Sequence, residues 1–243
     1  MATFHLFIIG DEILAGRRQD KHFAHMLETL KTRGHKIAAA YYLPDNKEIL
    51  AEAFQRSLSA GHQVISCGGI GATPDDHTRQ AFAQALRLPL SLHPEAAELI
   101  THRFAEAAYP YRIQMAYFPE GSQLIPNPVN QVPGCFLKTH YLLPGFPSMA
   151  WPMLDWILDQ HYIDTSPETT LSFIMINARE GELIGKMQNF TQRYPHVAFS
   201  SLPSYGNAQH QEPHIEFSIT AEAVLAAEAI AYLKECLNST ENI

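Results

Sequence analysis

The chain has 243 residues, of which 46% are apolar and 17% charged, and carries a formal net charge of −8 at pH 7. This is the composition of a folded globular protein, in one large domain or one medium domain plus a small one, and it excludes a disordered chain. The absence of a dense Lys/Arg block excludes a nucleic-acid backbone as the main partner, although backbone amides and a bound cation can still hold a phosphate locally.

Residues 4–9 form a continuous apolar run of strand length, after which residues 10–16 turn away. Asp20 can cap a helix in which Phe23, Met26, Leu27 and Leu30 recur at helical spacing, with Gly34 as its C′ glycine. Residues 36–43 read as a second strand. Pro44-Asp45-Asn46 then leads into a helix with Ile49, Leu50, Ala53, Phe54 and Leu58 on one face, closed by Gly61. Residues 64–67 are a third strand and residues 80–86 an amphipathic helix. Apolar strands in β-α-β-α-β-loop-α order predict a parallel sheet with helices on both sides.

Residues 94–108 read as a further helix, residues 109–147 as short strands and loops, and residues 153–161 as a helix. Ser148 ahead of that last helix can cap it or touch a ligand phosphate. Residues 164–168 look like a linker. Beyond it, strands at 171–176, 197–201 and 214–220 and helices at 182–194 and 221–237 suggest helices on one face of an antiparallel sheet. The expected fold class is therefore α/β: a three-layer α/β/α domain with a mostly parallel sheet over residues 1–165, then a small α+β domain over residues 168–243.

Three scattered cysteines, Cys67, Cys135 and Cys236, form no CxxC pair. That argues against a disulfide scaffold or structural zinc and for a reducing cytosol. The first residues lack a basic stretch and are too short an apolar run to span a bilayer, so a cytoplasmic protein with no signal peptide and no membrane segment is expected.

The most informative stretch is Ser66-Cys67-Gly68-Gly69-Ile70-Gly71-Ala72-Thr73-Pro74-Asp75-Asp76-His77-Thr78, between a strand and a helix. Glycines let a backbone approach a ligand closely, a helix start offers free N–H groups to an anion, and adjacent carboxylates suit Mg²⁺ beside a phosphate. The alternative is a tight turn in which Asp76 or Thr78 only caps the helix. This loop and the acidic loop at residues 10–16 both leave carboxyl ends of strands, where ligands sit in parallel sheets.

Four stretches in order resemble one family. They are Gly10-Asp11-Glu12-Ile13-Leu14 with Gly16 and Asp20, the loop from Gly68 to Thr78, Met115-Ala116-Tyr117-Phe118-Pro119-Glu120-Gly121, and Leu142-Leu143-Pro144-Gly145-Phe146-Pro147-Ser148. Together they resemble the molybdopterin-binding (molybdenum cofactor biosynthesis) domain, in the version at the N-terminus of competence/damage-inducible protein CinA. The likeness covers roughly residues 4–160, and the C-terminal part resembles the extension of short CinA-type proteins without the deamidase domain of longer ones.

The resemblance implies a three-layer fold whose Gly-Gly loop holds a phosphate or pyrophosphate. Relatives in cofactor synthesis bind molybdopterin and adenylate it with Mg²⁺ and ATP. Relatives of the CinA N-terminal type look like metal-dependent pyrophosphatases acting on ADP-ribose and similar nucleotides. Carried over position by position, it implies Gly68, Gly69, Gly71 and Thr73 around phosphate with Thr78 nearby, and Pro144, Gly145 and Ser148 bordering the nucleotide or pterin. Asp11, Glu12, Asp20, Asp75 and Asp76 would be ligands of a divalent Mg²⁺, Mn²⁺ or Co²⁺, with K⁺ a further expected ion. Glu12 or Asp76 is the expected catalytic carboxylate, orienting or deprotonating the attacking water. A homo-oligomer is also implied.

The chain departs from the family pattern where Asp20-Lys21-His22 stands for Asp-Thr-Asn, Gly71-Ala72-Thr73-Pro74 for Gly-Pro-Thr, Asn130-Gln131-Val132 for Gly-Thr-Ala, and Met149 for glutamate. These positions fall at expected ligand contacts. Two other readings therefore stand beside the pyrophosphatase: a non-catalytic binder that has lost transition-state contacts, and a domain that mainly self-associates. His22 and His25 read as surface or partly packed residues.

Overall fold

Alternate side chains of the central strands face two different helical layers, which is why those strands are apolar along their length. The computed structural model describes residues 1–238, and the chain divides into two compact units, Met1–Thr165 and Ser166–Ile243. The first unit runs β1 (Thr3–Ile9), α1 (Asp11–Leu14), α2 (His22–Thr32), β2 (Lys36–Leu43), α3 (Lys47–Ser59), β3 (Gln63–Cys67), α4 (Thr78–Leu86), β4 (Leu90–Leu92) and α5 (Pro94–Phe104). Two 3₁₀ turns, Ala105–Ala108 and Arg112–Ala116, precede β5 (Tyr117–Pro119), β6 (Gln123–Ile125), β7 (Gly134–Leu137), β8 (His140–Leu143) and α6 (Pro147–His161).

Six strands make one sheet in the order β2-β1-β3-β8-β7-β6. The β2, β1, β3 and β8 strands are mutually parallel, while β7 and β6 add an antiparallel edge. On one face Phe7, Ile9, Val64 and Leu142 pack with Leu50, Phe54, Phe82 and Ile100 of α3, α4 and α5. On the other, Leu6, Ile65, Cys67 and Leu143 pack with Met26, Leu30, Leu154 and Ile157 of α2 and α6. This is the three-layer α/β/α arrangement with a mostly parallel sheet. A separate ladder pairs β4 with β5, and no helix among the described residues is long and apolar enough to cross a membrane.

Three helices differ from their sequence reading. The buried stripe of α2 is His22, Met26 and Leu30, whereas Phe23 and Leu27 are exposed; a histidine counted as polar hid the true i, i+4, i+8 face. On α3 the buried residues are Leu50, Ala51, Phe54 and Ser57, and Ile49 points outward. The last helix of the unit begins at Pro147 rather than 153, because a proline at the first helical position loses no helical hydrogen bond.

His140 on β8 is fully buried, with its ring stacked on Phe82 and its Nε2 2.7 Å from the Ser57 hydroxyl. Burial, aided by the Lys138 and His62 charges, pushes this imidazole down to about 4 from 6.5. The unfolded chain therefore takes up a proton near pH 6.5 that the folded chain refuses until pH 4. Stability should be full above pH 6.5 and fall by about 3 kcal/mol as the pH drops towards 4. Urea titrations at pH 7 and pH 4.5 read this through Trp151 and Trp156, both in the first unit; equal midpoints would refute it.

The second unit runs β9 (Thr169–Ile176), α7 (Glu180–Arg193), β10 (Ala198–Ser204), β11 (His214–Ala221) and α8 (Ala223–Asn238). Its antiparallel sheet has the order β10-β11-β9. Ile215, Phe217 and Ile219 of β11 face Leu183 and Phe190 of α7 and Leu233 of α8, while the intervening Glu216, Ser218 and Thr220 are half-buried.

Candidate functional site

The carboxyl ends of β1, β2, β3 and β8 are neighbours in the sheet, so the loops that leave them converge. After β1, the Asp11 N–H donates to Asp45 Oδ2 at 3.0 Å, and the Asp45 N–H after β2 donates back to Asp11 Oδ1 at 3.3 Å. Asp11, Glu12, Asp45 and Asp75 line an open cleft of about 410 Å³ together with Arg17 and Arg18. Burial pushes the Asp45 carboxyl up, and the charges of Asp11, Glu12 and Asp75 push it the same way against the opposing Asp11 N–H. Arg18 offsets part of that charge from 3.7 Å from Glu12.

Asp20 does not join this cleft. From one residue before the cap position, Lys21, its two oxygens accept the His22 and Phe23 N–H groups at the start of α2 at 2.7 and 3.2 Å, and the second also accepts the Tyr42 hydroxyl. His22 is a correction to the expected surface or partly packed residue, because it is 3% exposed. Its Nε2 lies 3.1 Å from the Gly145 carbonyl, so it fastens the turn after β8 to α2. His25 stacks on Trp151. A smaller cleft of about 230 Å³ lies here, lined among others by Glu12, Arg18, Asp20, His22, Cys67, Gly145 and Phe146.

The glycine loop is shaped by its own chain. Gly68 has φ +113, and a Cβ there would meet the Ile9 carbonyl; Gly69 has φ +65, and a Cβ there would meet the Thr78 hydroxyl. Both positions require glycine before any ligand is considered. Thr78 is fully buried and donates to the Gly68 carbonyl at 2.9 Å, so it holds the loop instead of lining the cleft. Neither Asp76 nor Thr78 caps α4: His77 stands at the cap position and makes no side-chain cap. The Asp76 carboxylate instead accepts the Thr73 N–H at 2.8 Å and the Thr73 hydroxyl.

Gly69, Gly71, Thr73, Asp76, Pro144 and Gly145 do come together, on a cleft of about 440 Å³ that Phe104, Met115, Asn127, Asn130, Phe146 and Met149 complete. Ser148 neither caps nor lines it. With α6 starting at Pro147, Phe146 is the cap residue and Ser148 an exposed residue of the first turn. The two clefts flanking Gly145 and Phe146 share those residues, and the smaller one shares Glu12 and Arg18 with the acidic cleft. The three clefts are thus neighbours, each sharing lining residues with the next, from the carboxylates to the glycine loop.

Among the described residues no three His, Cys, Asp or Glu side chains stand close enough to enclose a metal ion by themselves. The donors of the acidic cleft are nonetheless hard oxygens with unbalanced charge, and Mg²⁺ is commonly held by one or two carboxylates with water and substrate phosphate. The set fits a divalent ion completed by its substrate. Asp45, Asn127 and Arg79 were passed over in the sequence. Asp45 had the same signal as Asp11, a carboxylate leaving a strand end, but Pro44-Asp45-Asn46 also reads as a helix start. Arg79 and Asn127 carry no local signal.

The model of the "Probable molybdopterin binding domain" family matches residues 5–163. A protein from Pyrobaculum calidifontis is 28% identical over 94% of this chain and 90% of its own length. A protein described as competence-damage inducible, from Alkaliphilus metalliredigens, is 29% identical over 79% of this chain, which spans 50% of that relative. Among solved structures, CinA from Thermoplasma acidophilum, described as of unknown function, is 27% identical with a TM-score of 0.61, covering 66% of this chain and 99% of its own.

Proposed function

The chain belongs to the molybdopterin-binding domain family, in its CinA N-terminal form, and on that premise we propose that it binds a phosphorylated nucleotide or pterin and cleaves the pyrophosphate of an ADP-ribose-like nucleotide. The observation that carries this reading is the adjacency of the clefts: the smaller one shares Glu12 and Arg18 with the acidic cleft and Gly145 and Phe146 with the cleft at the glycine loop. A two-headed ligand with phosphates in its middle suits such a row of clefts.

One or two carboxylates of the set Asp11, Glu12, Asp45 and Asp75 would hold a Mg²⁺, Mn²⁺ or Co²⁺ ion completed by water and the substrate phosphates, and when bound it would offset charge building on the phosphoryl oxygens. The loop from Gly69 to Ala72 offers backbone N–H groups to the phosphates. Arg17 and Arg18, both exposed at the rim, add positive charge there. Glu12 or Asp76 takes the proton of the attacking water. K⁺ and a homo-oligomer are further expectations of the resemblance.

The deciding assay offers ADP-ribose, FAD, NAD and diadenosine phosphates with each divalent ion, with and without K⁺, and measures AMP. Metal-dependent AMP supports the proposal. Nucleotide or pterin binding without product would establish the second reading, a non-catalytic binder, which the Thr73-tethered Asp76 and the thioether of Met149 in the cleft favour. The metal assignment has its own check. Mn²⁺ should raise the melting temperature of the protein, and Asp45→Asn, by removing one of the crowded charges, should abolish most of that rise. An equal rise in both would place the ion elsewhere.

A further inference from the structure

The six-stranded sheet ends at β2, and among the described residues no strand pairs with its outer side. Proteins usually blunt such an edge by keeping it short or by placing charges, proline or a bulge along it. This one runs for eight residues, Lys-Ile-Ala-Ala-Ala-Tyr-Tyr-Leu, with no proline and its one charge at the first position. Its register shift against β1 comes early, between the partners of Phe4 and His5, so Ala39 to Leu43 pair regularly. Ala38, Tyr41 and Tyr42 are exposed, the two tyrosines at 44%. The Leu43 carbonyl accepts the Gly10 N–H and so points inward, towards β1. Successive residues of a strand alternate in the side to which they turn N–H and C=O. Tyr42 and Ala40 therefore present theirs outward.

A row of outward peptide groups is a template for another strand, and the order of residues in β2 suits its own copy. We propose that β2 is the surface through which two copies of this chain join, in an antiparallel pair centred on Ala40 that continues the sheet from one copy into the next. A two-fold axis there sets Ala40 against the partner's Ala40, and the two exchange both hydrogen bonds. Ala39 then faces the partner's Tyr41, and Ala38 faces the partner's Tyr42. Each ring meets a methyl group, so large and small side chains alternate across the seam. Like charges stay apart, because Lys36 goes to the far end of the partner strand, near the partner's Asp45. A slip of one residue would put the tyrosines and alanines on opposite faces. The family resemblance implies a homo-oligomer without saying where the copies touch; this edge supplies the surface and the register.

Sedimentation equilibrium of the full chain should give a dimer, and Ala40→Pro should raise its dissociation constant at least about tenfold. The substitution removes the outward N–H on the axis and no bond to β1, so the urea midpoint of the first unit should hold. Register has a separate readout. Paired Cα atoms at about 5.5 Å lie within disulfide reach, and the three native cysteines are buried. Under oxidation Ala40→Cys should give a covalent dimer, whereas Tyr42→Cys, set against the partner's Ala38, should not. Should Ala40→Pro unfold, this pattern of cross-links decides alone. A wild type that stays monomeric at every concentration leaves the edge to an extended segment of another protein and overturns the proposal. An oligomer whose cysteine variants cross-link alike, or whose dissociation constant Ala40→Pro leaves unmoved, overturns it too.

Discussion

Arg79→Met should lower the stability of the first unit by about 3 kcal/mol and abolish ligand binding in the cleft beside the glycine loop. Arg79 is 3% exposed. Its guanidinium donates to three carbonyls, those of Gly71, Gln114 and Tyr117. Gly71 belongs to the loop wall of the cleft, and Gln114 and Tyr117 flank Met115 on another wall. One side chain on α4 therefore ties the two walls together.

Two effects oppose each other. Burying the cation costs several kcal/mol, and its pKa is held below the usual guanidinium range by that burial. Methionine removes this cost and fills similar space. Each charge-assisted bond contributes about 1.5–3 kcal/mol, however, and the three carbonyls would lose their donor at once. The bonds win by the stated margin. Arg79→Lys should recover only part of the loss, since one ammonium cannot serve carbonyls on two walls with the fork of a guanidinium. Urea unfolding measures the first effect and nucleotide titration the second. A methionine variant as stable as the wild type would mean that water replaces the side chain.

Local signals made the strand–helix alternation and the two acidic loops legible, because strand length, glycine and aspartate each act within a few residues of themselves. The place of β8 beside β3 depends on a pairing of Val64 with His140, which no window of sequence contains. The errors on α2 and α3 arose where a residue's class and its burial disagree. His22 is packed and bonded to Gly145, while Phe23 and Ile49 sit in solvent. The candidate site shows the same limit. The glycines were legible as necessary, but sequence suggested a ligand as the reason, whereas Gly68 and Gly69 are required by the approach of Ile9 and Thr78. Asp45, Asn127 and Arg79 acquire their roles only when segments far apart in the chain meet.

Asp76→Asn should reduce metal-dependent AMP release at least about 100-fold without unfolding the protein, the scale on which lost charge stabilisation at a reacting centre is felt. The amide keeps an oxygen for the Thr73 N–H, so the loop retains the bond that shapes it. What disappears is the negative charge. Thr73→Val is the complementary change: it removes the hydroxyl donor, keeps the backbone bond and leaves the carboxylate intact. If Asp76 acts through its charge, removing one of the two donors that its Oδ2 accepts should cost about tenfold or less. If it acts only by shaping the loop, the order should invert, with Thr73→Val the more damaging variant. Activity unchanged in both would remove Asp76 from the chemistry and leave Glu12, shared by the acidic cleft and the cleft beside it, as the carboxylate to carry the proton.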